Sequence, residues 1–403
     1  MKFHHNLVAA VVHALRAIFV EQQYADKVIE RILKSNPRWG ARDRGFVAES
    51  TYNMVRWWRL LWFLLQQTEA PKQPTDEELW RLFGVWALHH HGLIPPWAEL
   101  SSLNANQINE RMAHARTIRA LRESIPEWLD IQGIQELPEQ WTDILPALNQ
   151  QADVVIRVNT LKISRADLAE LLQKQAIETS PIEADGLVLS KRQNLFKTQE
   201  FQNGLFELQD ASSQAVAPAL TVTTGMRVID ACAGGGGKTL HLAALMQNKG
   251  KIIALDVEAW KLKNLQIRAK RAGADIIESR LIDNRKVIKR LYDSADRLLL
   301  DVPCSGLGVL RRNPDTKWKL NPEVMAQVRE HQQQILQNYS YLCRQGGQIV
   351  YSTCSVLPSE NQLQIQAFLE SQAGKFTLLS EKTLLPHLTG FDGFYIAVLE
   401  RVG

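Results

Sequence analysis

Hydrophobic positions in the first third of the chain recur every three or four residues, which is the spacing of an amphipathic helix. Leu7, Val8, Val11 and Leu15 follow this spacing near the start, and Arg16 interrupts the apolar run. A secretory signal would carry an uninterrupted apolar segment, so this spacing predicts a helix of the folded protein instead. We predict an all-α N-terminal domain over residues 1–135.

The pattern becomes mixed between residues 136 and 204. Val154–Val158 alternates as a strand does, and Ser164 suits the N-cap of a helix from Arg165 to Lys174. The pair Asp185-Gly186 is typical of a turn. We therefore predict a small α/β bridging domain over this region.

From residue 205 onward, short apolar strands alternate with helices. The predicted strands are Met226–Asp230, Ile252–Asp256, Arg297–Val302, Gln348–Ser352 and Tyr395–Glu400. This alternation predicts a mostly parallel sheet that helices cover on both faces. Ligands of such sheets bind beyond the carboxyl ends of the strands. We predict that residues 205–403 form this α/β domain, which carries the functional site.

The composition agrees with a multidomain globular protein. The 403 residues suffice for two or three domains, and a content of 45% apolar and 22% charged residues argues against intrinsic disorder. The net charge of +4 is unevenly distributed, with 16 basic and 17 acidic residues up to Gln150 and 31 basic and 26 acidic residues after it. The sequence lacks a long uncharged apolar run and an export signal, so we expect a cytoplasmic protein whose four cysteines are thiols.

A glycine cluster follows the first of these strands, in the sequence Asp-Ala-Cys-Ala-Gly-Gly-Gly-Gly-Lys-Thr at 230–239. A phosphate-binding P-loop would need glycine at Cys232, and a dinucleotide fingerprint would need glycine at Thr239. Asp256 ends the next strand, where a doubly wound sheet places a ribose-binding carboxylate, although the same residue could cap the following helix. Asp283 either ends a further strand or lies in a surface turn. The cluster and Asp256 together indicate a nucleotide-like ligand.

Two cysteines and a carboxylate follow the later strands. Asp301 and Cys304 lie in Asp-Val-Pro-Cys-Ser-Gly, and Cys354 lies in Thr-Cys-Ser. Because parallel strands end at one edge of the sheet, we expect these three side chains to converge near the glycine cluster. Cys343 falls in a predicted helix and has the character of a buried apolar residue. Neither Cys304 nor Cys354 has a second Cys/His pair nearby, so a nucleophilic thiol is a better interpretation than a zinc site.

These motifs identify a family. The chain resembles the RNA cytosine-5 methyltransferases of the RsmB/NOP/NSUN superfamily, in their bacterial ribosomal RNA branch. The matching segments are 157–162, 209–213, 301–306, 311–315, 352–361 and 392–394. The resemblance implies a Rossmann-like domain that depends on S-adenosylmethionine and has an antiparallel last strand. Most members carry Ala-Pro where this chain has Gly234-Gly235. The segment Arg42-Asp-Arg44 resembles the NusB-like domain that precedes the bacterial members.

The resemblance also implies roles for the site residues. Cys354 would add to C6 of the cytosine, Asp301 would protonate or hydrogen-bond N3, and Cys304 would assist release of the product. The cofactor would contact the loop Ala233, Gly234, Gly235, Gly236 and Gly237, and also Lys238, Asp256, Asp283 and Asp301. In this set the loop cradles the methionine part, Asp256 binds the ribose and Asp283 binds the adenine amine.

The expected substrate is RNA, and small-subunit ribosomal RNA is favoured over transfer RNA. Two alternatives stay open: a DNA cytosine-5 methyltransferase, whose nucleophile would be Cys304, and a non-catalytic RNA-binding protein. We expect a monomer that uses no metal and no membrane. Four basic residues after the catalytic turn, Arg311, Arg312, Lys317 and Lys319, are candidates for phosphate contacts. One predicted helix carries five basic residues that spread around it, and we interpret it as a solvated face, with RNA contact as the alternative; the residues are Lys261, Lys263, Arg268, Lys270 and Arg271.

Overall fold

A computed structural model describes residues 3–66, 70–183 and 185–403. The chain divides into two compact units, one formed by Met1–Gln150 with Leu310–Asn321 and the other by Gln151–Val309 with Pro322–Gly403. Among the described residues, no helix has the length and apolar character that a membrane crossing requires.

The first unit is helical, as predicted. Its helices are α1 (His5–Phe19), α2 (Ala25–Ser35), α3 (Ala41–Arg56), α4 (Trp58–Leu64), α5 (Asp76–His91), α6 (Ala105–Ala115), α7 (Arg119–Arg122), α8 (Glu127–Glu136) and α9 (Trp141–Asn149), with a 3₁₀ turn at Ala98–Leu100. The apolar stripe of α1 is buried, which explains the spacing seen in the sequence. Thr75 begins α5 with a capping box to Glu78. Helix α9 belongs to this unit, which therefore extends to Gln150 and not only to residue 135.

The second unit begins with a small antiparallel sheet. Its elements are β1 (Val155–Val158), α10 (Arg165–Gln173), β2 (Thr179–Ile182), β3 (Gly186–Leu189), α11 (Gln199–Gln202) and β4 (Phe206–Leu208), and the strand order is β2-β3-β1-β4. Ser164 caps α10 by accepting a hydrogen bond from the backbone N–H of Asp167. Strand β4 pairs with β1, so the small sheet extends past the boundary predicted after residue 204.

The same unit continues into the large sheet. Its strands are β5 (Arg227–Asp230), β6 (Lys251–Asp256), β7 (Ile277–Leu281), β8 (Ala295–Asp301), β9 (Cys343–Thr353), β10 (Phe376–Leu384) and β11 (Phe394–Arg401). The helices are α12 (Ala211–Gln214), α13 (Val216–Ala219), α14 (Gly237–Leu245), α15 (Ala259–Ala272), α16 (Arg285–Lys289), α18 (Pro322–Tyr339), α19 (Gln362–Ser371) and α20 (Pro386–Thr389), while α17 (Thr316–Lys319) lies in the first unit. Three 3₁₀ turns span Leu307–Val309, Ser340–Leu342 and Pro358–Glu360.

The large sheet has the order β10-β11-β9-β8-β5-β6-β7. Strands β7, β6, β5, β8 and β9 run parallel, and β11 is antiparallel to β9, so the predicted Rossmann-like fold with an antiparallel last strand is confirmed. Successive residues of each strand point to opposite faces: Ile229 packs into one core and Val228 into the other. Two apolar cores therefore hold helices on both faces of the sheet.

The sheet differs from the sequence prediction at two places. Cys343 is the first residue of β9 and not part of a helix, although it is buried as expected. Strand β10 was not predicted, because most of its residues are exposed at the sheet edge and its sequence Phe-Thr-Leu-Leu-Ser-Glu-Lys-Thr-Leu lacks a regular apolar alternation.

The segment Leu310–Asn321, which carries part of the family signature, packs within the helical unit. Arg56 donates to the carbonyl oxygens of Leu310 and Arg311 at 3.4 and 3.0 Å. Arg311 and Lys317 are only 6% and 2% exposed, and burial lowers the pKa of the Lys317 ammonium. Lys319 pairs with Asp315 at 2.8 Å. The burial of Arg311 and Lys317 does not suit the expected phosphate contacts, and Lys319 is paired within the unit. Contact of Arg312 or Lys319 with phosphate stays a prediction.

Candidate functional site

The predicted site residues meet at the carboxyl edge of the large sheet. Strands β5, β6 and β8 end at Asp230, Asp256 and Asp301, and β9 ends at Thr353, directly before Cys354. These strands are neighbours in the sheet and run parallel. The sheet therefore brings the glycine loop, two carboxylates and the cysteine turns to one place, as the sequence predicted.

The glycine loop after β5 needs left-handed backbone at two positions. Gly234 and Gly236 have φ of 53° and 85°. The N–H of Gly236 donates to the carbonyl of Ala233 at 2.9 Å, which closes the turn before α14 begins at Gly237. A Cβ on Gly236 would also lie 2.6 Å from Cγ of Leu265 in α15. Gly236 is thus required by both its backbone conformation and its close packing.

Asp256 supports this loop from the next strand. Its carboxylate accepts the N–H of Gly234 at 2.9 Å and the N–H of Glu258 at 2.8 Å. Asp256 therefore holds the loop and satisfies a donor near the start of α15, which suits the capping interpretation, while its ribose-binding role stays a prediction. Asp283 lies two residues past β7 and is exposed. The N–H of Ile282 donates to the Asp256 carbonyl at 2.9 Å, which places Asp283 along the same edge.

A cavity of about 270 Å³ opens beside the loop. Its lining includes the predicted residues Ala233, Gly234, Gly235, Gly237, Lys238 and Asp301, and also Leu208, Gln209, Ser213, Asp230, Cys232 and Arg268, to which the sequence had given no ligand role. The other predicted residues, Gly236, Asp256, Asp283, Cys304 and Cys354, lie outside this lining.

Asp230 is the buried carboxylate of this cavity. One of its oxygens, Oδ2, accepts from Thr239 Oγ1 at 2.7 Å, and Oδ1 has no partner among the described residues. Burial raises the pKa of Asp230 to about 7. A buried carboxylate oxygen without a partner is costly unless a ligand donates to it. The cavity therefore fits a ligand whose polar end carries a donor such as an amine.

Two arginines that the sequence had not connected to the site hold the loop. Arg268 donates to the carbonyl of Gly235 at 2.5 Å and pairs with Glu207 at 2.9 Å. Arg157 donates to the carbonyl of Gly237 at 2.8 Å, and burial lowers its pKa to about 10. The interpretation of the basic helix α15 as a solvated face is therefore wrong for Arg268. It is also wrong for Arg271, which pairs with Glu207 as well.

Asp301 is held on both sides. Lys238 Nζ donates to Oδ2 at 2.6 Å, and Ser352 Oγ donates to Oδ1 at 2.9 Å. Lys238 Nζ also lies 5.2 Å from the centroid of the Phe394 ring. The arrangement keeps a carboxylate and an ammonium group side by side at the wall of the cavity.

Cys304 and Cys354 form a close pair of thiols. Their Sγ atoms are 3.1 Å apart, and the N–H of Cys354 donates to Cys304 Sγ at 3.3 Å. The hydrogen bond with Cys354 and burial raise the pKa of the Cys304 thiol. Cys304 therefore favours the protonated form and can donate to a thiolate on Cys354. Among the described residues, no group of three or more His, Cys, Asp or Glu side chains could hold a metal ion.

Comparisons with known proteins show which family this chain resembles. The family model described as 16S rRNA methyltransferase RsmB/F matches residues 217–400, and a model of the ferredoxin-like domain of the same proteins matches residues 125–195. A Synechocystis protein named probable ribosomal RNA small subunit methyltransferase B is 32% identical, and the alignment covers 96% of this chain and 97% of the relative. A Bacillus subtilis protein of the same name is 36% identical over 69% of this chain and 66% of its own length. The solved structure of a methyltransferase homologue from Pyrococcus horikoshii, 28% identical, covers 70% of this chain and 98% of its own with a TM-score of 0.63.

Proposed function

Since this chain belongs to the RsmB/F family of ribosomal RNA methyltransferases, we propose that it methylates C5 of a cytosine in small-subunit ribosomal RNA through a covalent bond from Cys354 to C6. One observation carries the chemical part of the proposal. Two thiols lie 3.1 Å apart at the sheet edge that also holds the Lys238–Asp301 pair and the cavity. The substrate part is supported by the relatives, which are named for the small subunit.

S-adenosylmethionine is the cofactor, and when bound it supplies the methyl group as an electrophile. We assign its methionine part to the loop Ala233–Gly237 and the cavity beside it, where the unpartnered Oδ1 of Asp230 would accept from the ammonium group. Asp256 would bind the ribose hydroxyls and Asp283 the adenine amine. Asp256 contacts the loop at the Gly234 N–H, and Asp283 follows the next strand, β7, along the same edge.

The chemistry begins at cytosine C6, because C5 of cytosine is a poor nucleophile on its own. Cys354 attacks as a thiolate, the Sγ–C6 bond forms, and the electron pair of the C5–C6 double bond moves toward N3. The Lys238 ammonium, 2.6 Å from Asp301, gives a proton to this carboxylate as N3 takes one from it, so that the proton passes from Lys238 through Asp301 to N3. The ring is then an enamine whose C5 can accept the methyl group.

Release reverses the addition. The C5 proton leaves to solvent, its electron pair restores the C5–C6 double bond, and the Sγ–C6 bond breaks. Cys304, kept protonated by its raised pKa, donates to the departing Sγ of Cys354. The N3 proton returns to Asp301 and Lys238. In this sequence of steps each cysteine has a separate role.

The test combines labelled S-adenosylmethionine with unmodified small-subunit ribosomal RNA, a transfer RNA pool and a cytosine-containing DNA duplex. Wild type, Cys354→Ala and the control Cys343→Ala are compared, because Cys343 is a buried thiol at the opposite end of strand β9. We expect label in 5-methylcytidine of ribosomal RNA with wild type and Cys343→Ala, and none with Cys354→Ala.

Each other outcome removes one part of the proposal. Label confined to transfer RNA or DNA would overturn the substrate assignment. Label in another nucleoside would overturn the C5 assignment. Full activity of Cys354→Ala would overturn the role of Cys354.

A further inference from the structure

Glu360 is a buried carboxylate that the mechanism above does not use. It ends the 3₁₀ turn Pro358–Glu360, six residues after Cys354, and it is 0% exposed. A charged side chain in such a place is stable only when its hydrogen bonds are satisfied. The partners of Glu360 therefore indicate what the carboxylate is for.

The carboxylate of Glu360 accepts four hydrogen bonds. Oε2 accepts the backbone N–H of Ser305 at 2.8 Å and Gln332 Nε2 at 3.1 Å, and Oε1 accepts the hydroxyls of Ser305 and Ser355. A carboxylate offers about four lone-pair sites. The side chain is thus fully used as an acceptor, and three of its four donors come from two serines.

Those two serines directly follow the two cysteines. Ser305 is next to Cys304 in the turn after β8, and Ser355 is next to Cys354 in the turn after β9. One carboxylate therefore holds both cysteine turns, which lie 50 residues apart in the chain. A backbone bond from the N–H of Gly308 to the carbonyl of Cys354, at 2.8 Å, joins the same turns at a second point.

We propose that Glu360 is a positioning residue that sets the separation of the Cys304 and Cys354 sulfurs through Ser305 and Ser355. The inference rests on the proposed function, because a fixed sulfur–sulfur distance matters only when one thiol attacks and the other assists release. A misplacement of about 1 Å at a reacting group can cost about 100-fold in rate. Loss of the carboxylate would thus affect both chemical steps.

Three variants separate the parts of this arrangement. Glu360→Gln keeps the shape, and its amide oxygen can still accept the Ser305 N–H. Its N–H₂ group then faces the hydroxyls of Ser305 and Ser355, which lose their charged acceptor and must reverse their role. Ser355→Ala removes the hydroxyl that links Glu360 to the Cys354 turn. Ser305→Ala removes the hydroxyl that links Glu360 to the Cys304 turn. The control Glu278→Gln makes the same change on strand β7, where Glu278 pairs with Lys251 and Arg280.

The experiment follows the covalent protein–RNA adduct. With RNA that contains 5-fluorocytidine, the fluorine on C5 cannot leave as a proton, so the adduct is trapped and its rate of formation is measured. With unmodified RNA, the adduct present during turnover reports release. Binding of S-adenosylhomocysteine and thermal unfolding of each full-length variant show whether the fold and the cofactor site persist.

We expect Glu360→Gln to slow trapping by about 10- to 100-fold while binding of S-adenosylhomocysteine is unchanged. Ser355→Ala should form the trapped adduct with 5-fluorocytidine RNA more slowly. Ser305→Ala should form that adduct at the normal rate but accumulate adduct on unmodified RNA, because release is slowed. Normal trapping by Glu360→Gln, or identical behaviour of the two serine variants, would overturn the positioning role.

Two further outcomes are also decisive. If Glu360→Gln does not fold, the contrast between the two serine variants decides the matter alone. If wild type forms no adduct, the proposed function fails first and the inference falls with it, whereas an adduct with wild type but no effect of the variants refutes only the inference.

Discussion

Gly236 offers a direct test of how the loop is built. Replacing it with alanine places a side chain at φ of 85°, which costs about 1–2 kcal/mol in left-handed backbone. The new Cβ would also lie 2.6 Å from Cγ of Leu265, a fully buried side chain, and such overpacking costs about 1–3 kcal/mol. We therefore expect Gly236→Ala to lose about 2–5 kcal/mol of folding free energy.

Two neighbouring glycines separate these costs. Gly234 has φ of 53° but open space around its Cβ position. Gly234→Ala should therefore lose only the folding free energy of placing alanine in left-handed backbone, about 1–2 kcal/mol. Gly237 has open space and begins helix α14, so Gly237→Ala should be neutral or should gain up to about 1 kcal/mol from helix propensity.

Thermal unfolding of the three full-length glycine variants measures these losses. Each kcal/mol of lost folding free energy lowers Tm by about 2–4 °C for a unit of this size. Calorimetric binding of S-adenosylhomocysteine shows whether the loop still accepts its ligand, and we expect the weakest binding from Gly236→Ala. If Gly236→Ala were no less stable than Gly234→Ala, the contact with Leu265 would not restrict the loop. A large loss in Gly237→Ala would refute the reasoning as a whole.

Three further predictions concern the same unit. Cys304→Ala should still form the adduct with RNA but release product slowly, so that a protein–RNA band accumulates on a denaturing gel; loss of the band would move the nucleophile to Cys304. Arg268→Ala should weaken S-adenosylhomocysteine binding about 10- to 100-fold, since a charge-assisted hydrogen bond to the Gly235 carbonyl contributes about 1.5–3 kcal/mol, and an unchanged dissociation constant by calorimetry would contradict this. Burial lowers the pKa of His241 from 6.5 to about 4, so the unfolded chain takes up a proton below pH 6.5 that the folded chain refuses. The free energy of unfolding should therefore fall by up to about 3 kcal/mol between pH 6.5 and 4, and His241→Leu, compared with wild type by denaturant titration, should gain relative stability across that window.

The position of the site was accessible from the sequence, because it depends on a local rule. A residue that directly follows a strand of a parallel sheet must emerge at the carboxyl edge. Asp256, Asp301 and Cys354 could therefore be placed together from the order of strands and turns alone. The resemblance to a family then supplied the expected roles, and these remain proposals at the level of single residues.

Other features were not accessible, because they depend on partners far apart in the chain. Helical spacing alone made Arg268 a surface residue, whereas the fold places Glu207 and the Gly235 carbonyl against it. Likewise, the residues around Lys317 in the sequence suggest an exposed lysine. It is buried only because its segment packs within the helical unit.

The sequence by itself determined the class of fold, the edge that carries the site and the chemical groups available there. Hydrophobic periodicity and turn residues act over a few positions, so they can be interpreted without the fold. Only the tertiary structure decided which groups touch: the two sulfurs at 3.1 Å, Lys238 on Asp301, and one carboxylate, Glu360, between two serines. Those contacts join side chains from distant parts of the chain. They form because burying a polar group without a hydrogen-bond partner costs free energy, so each buried polar group must find a partner in the folded structure.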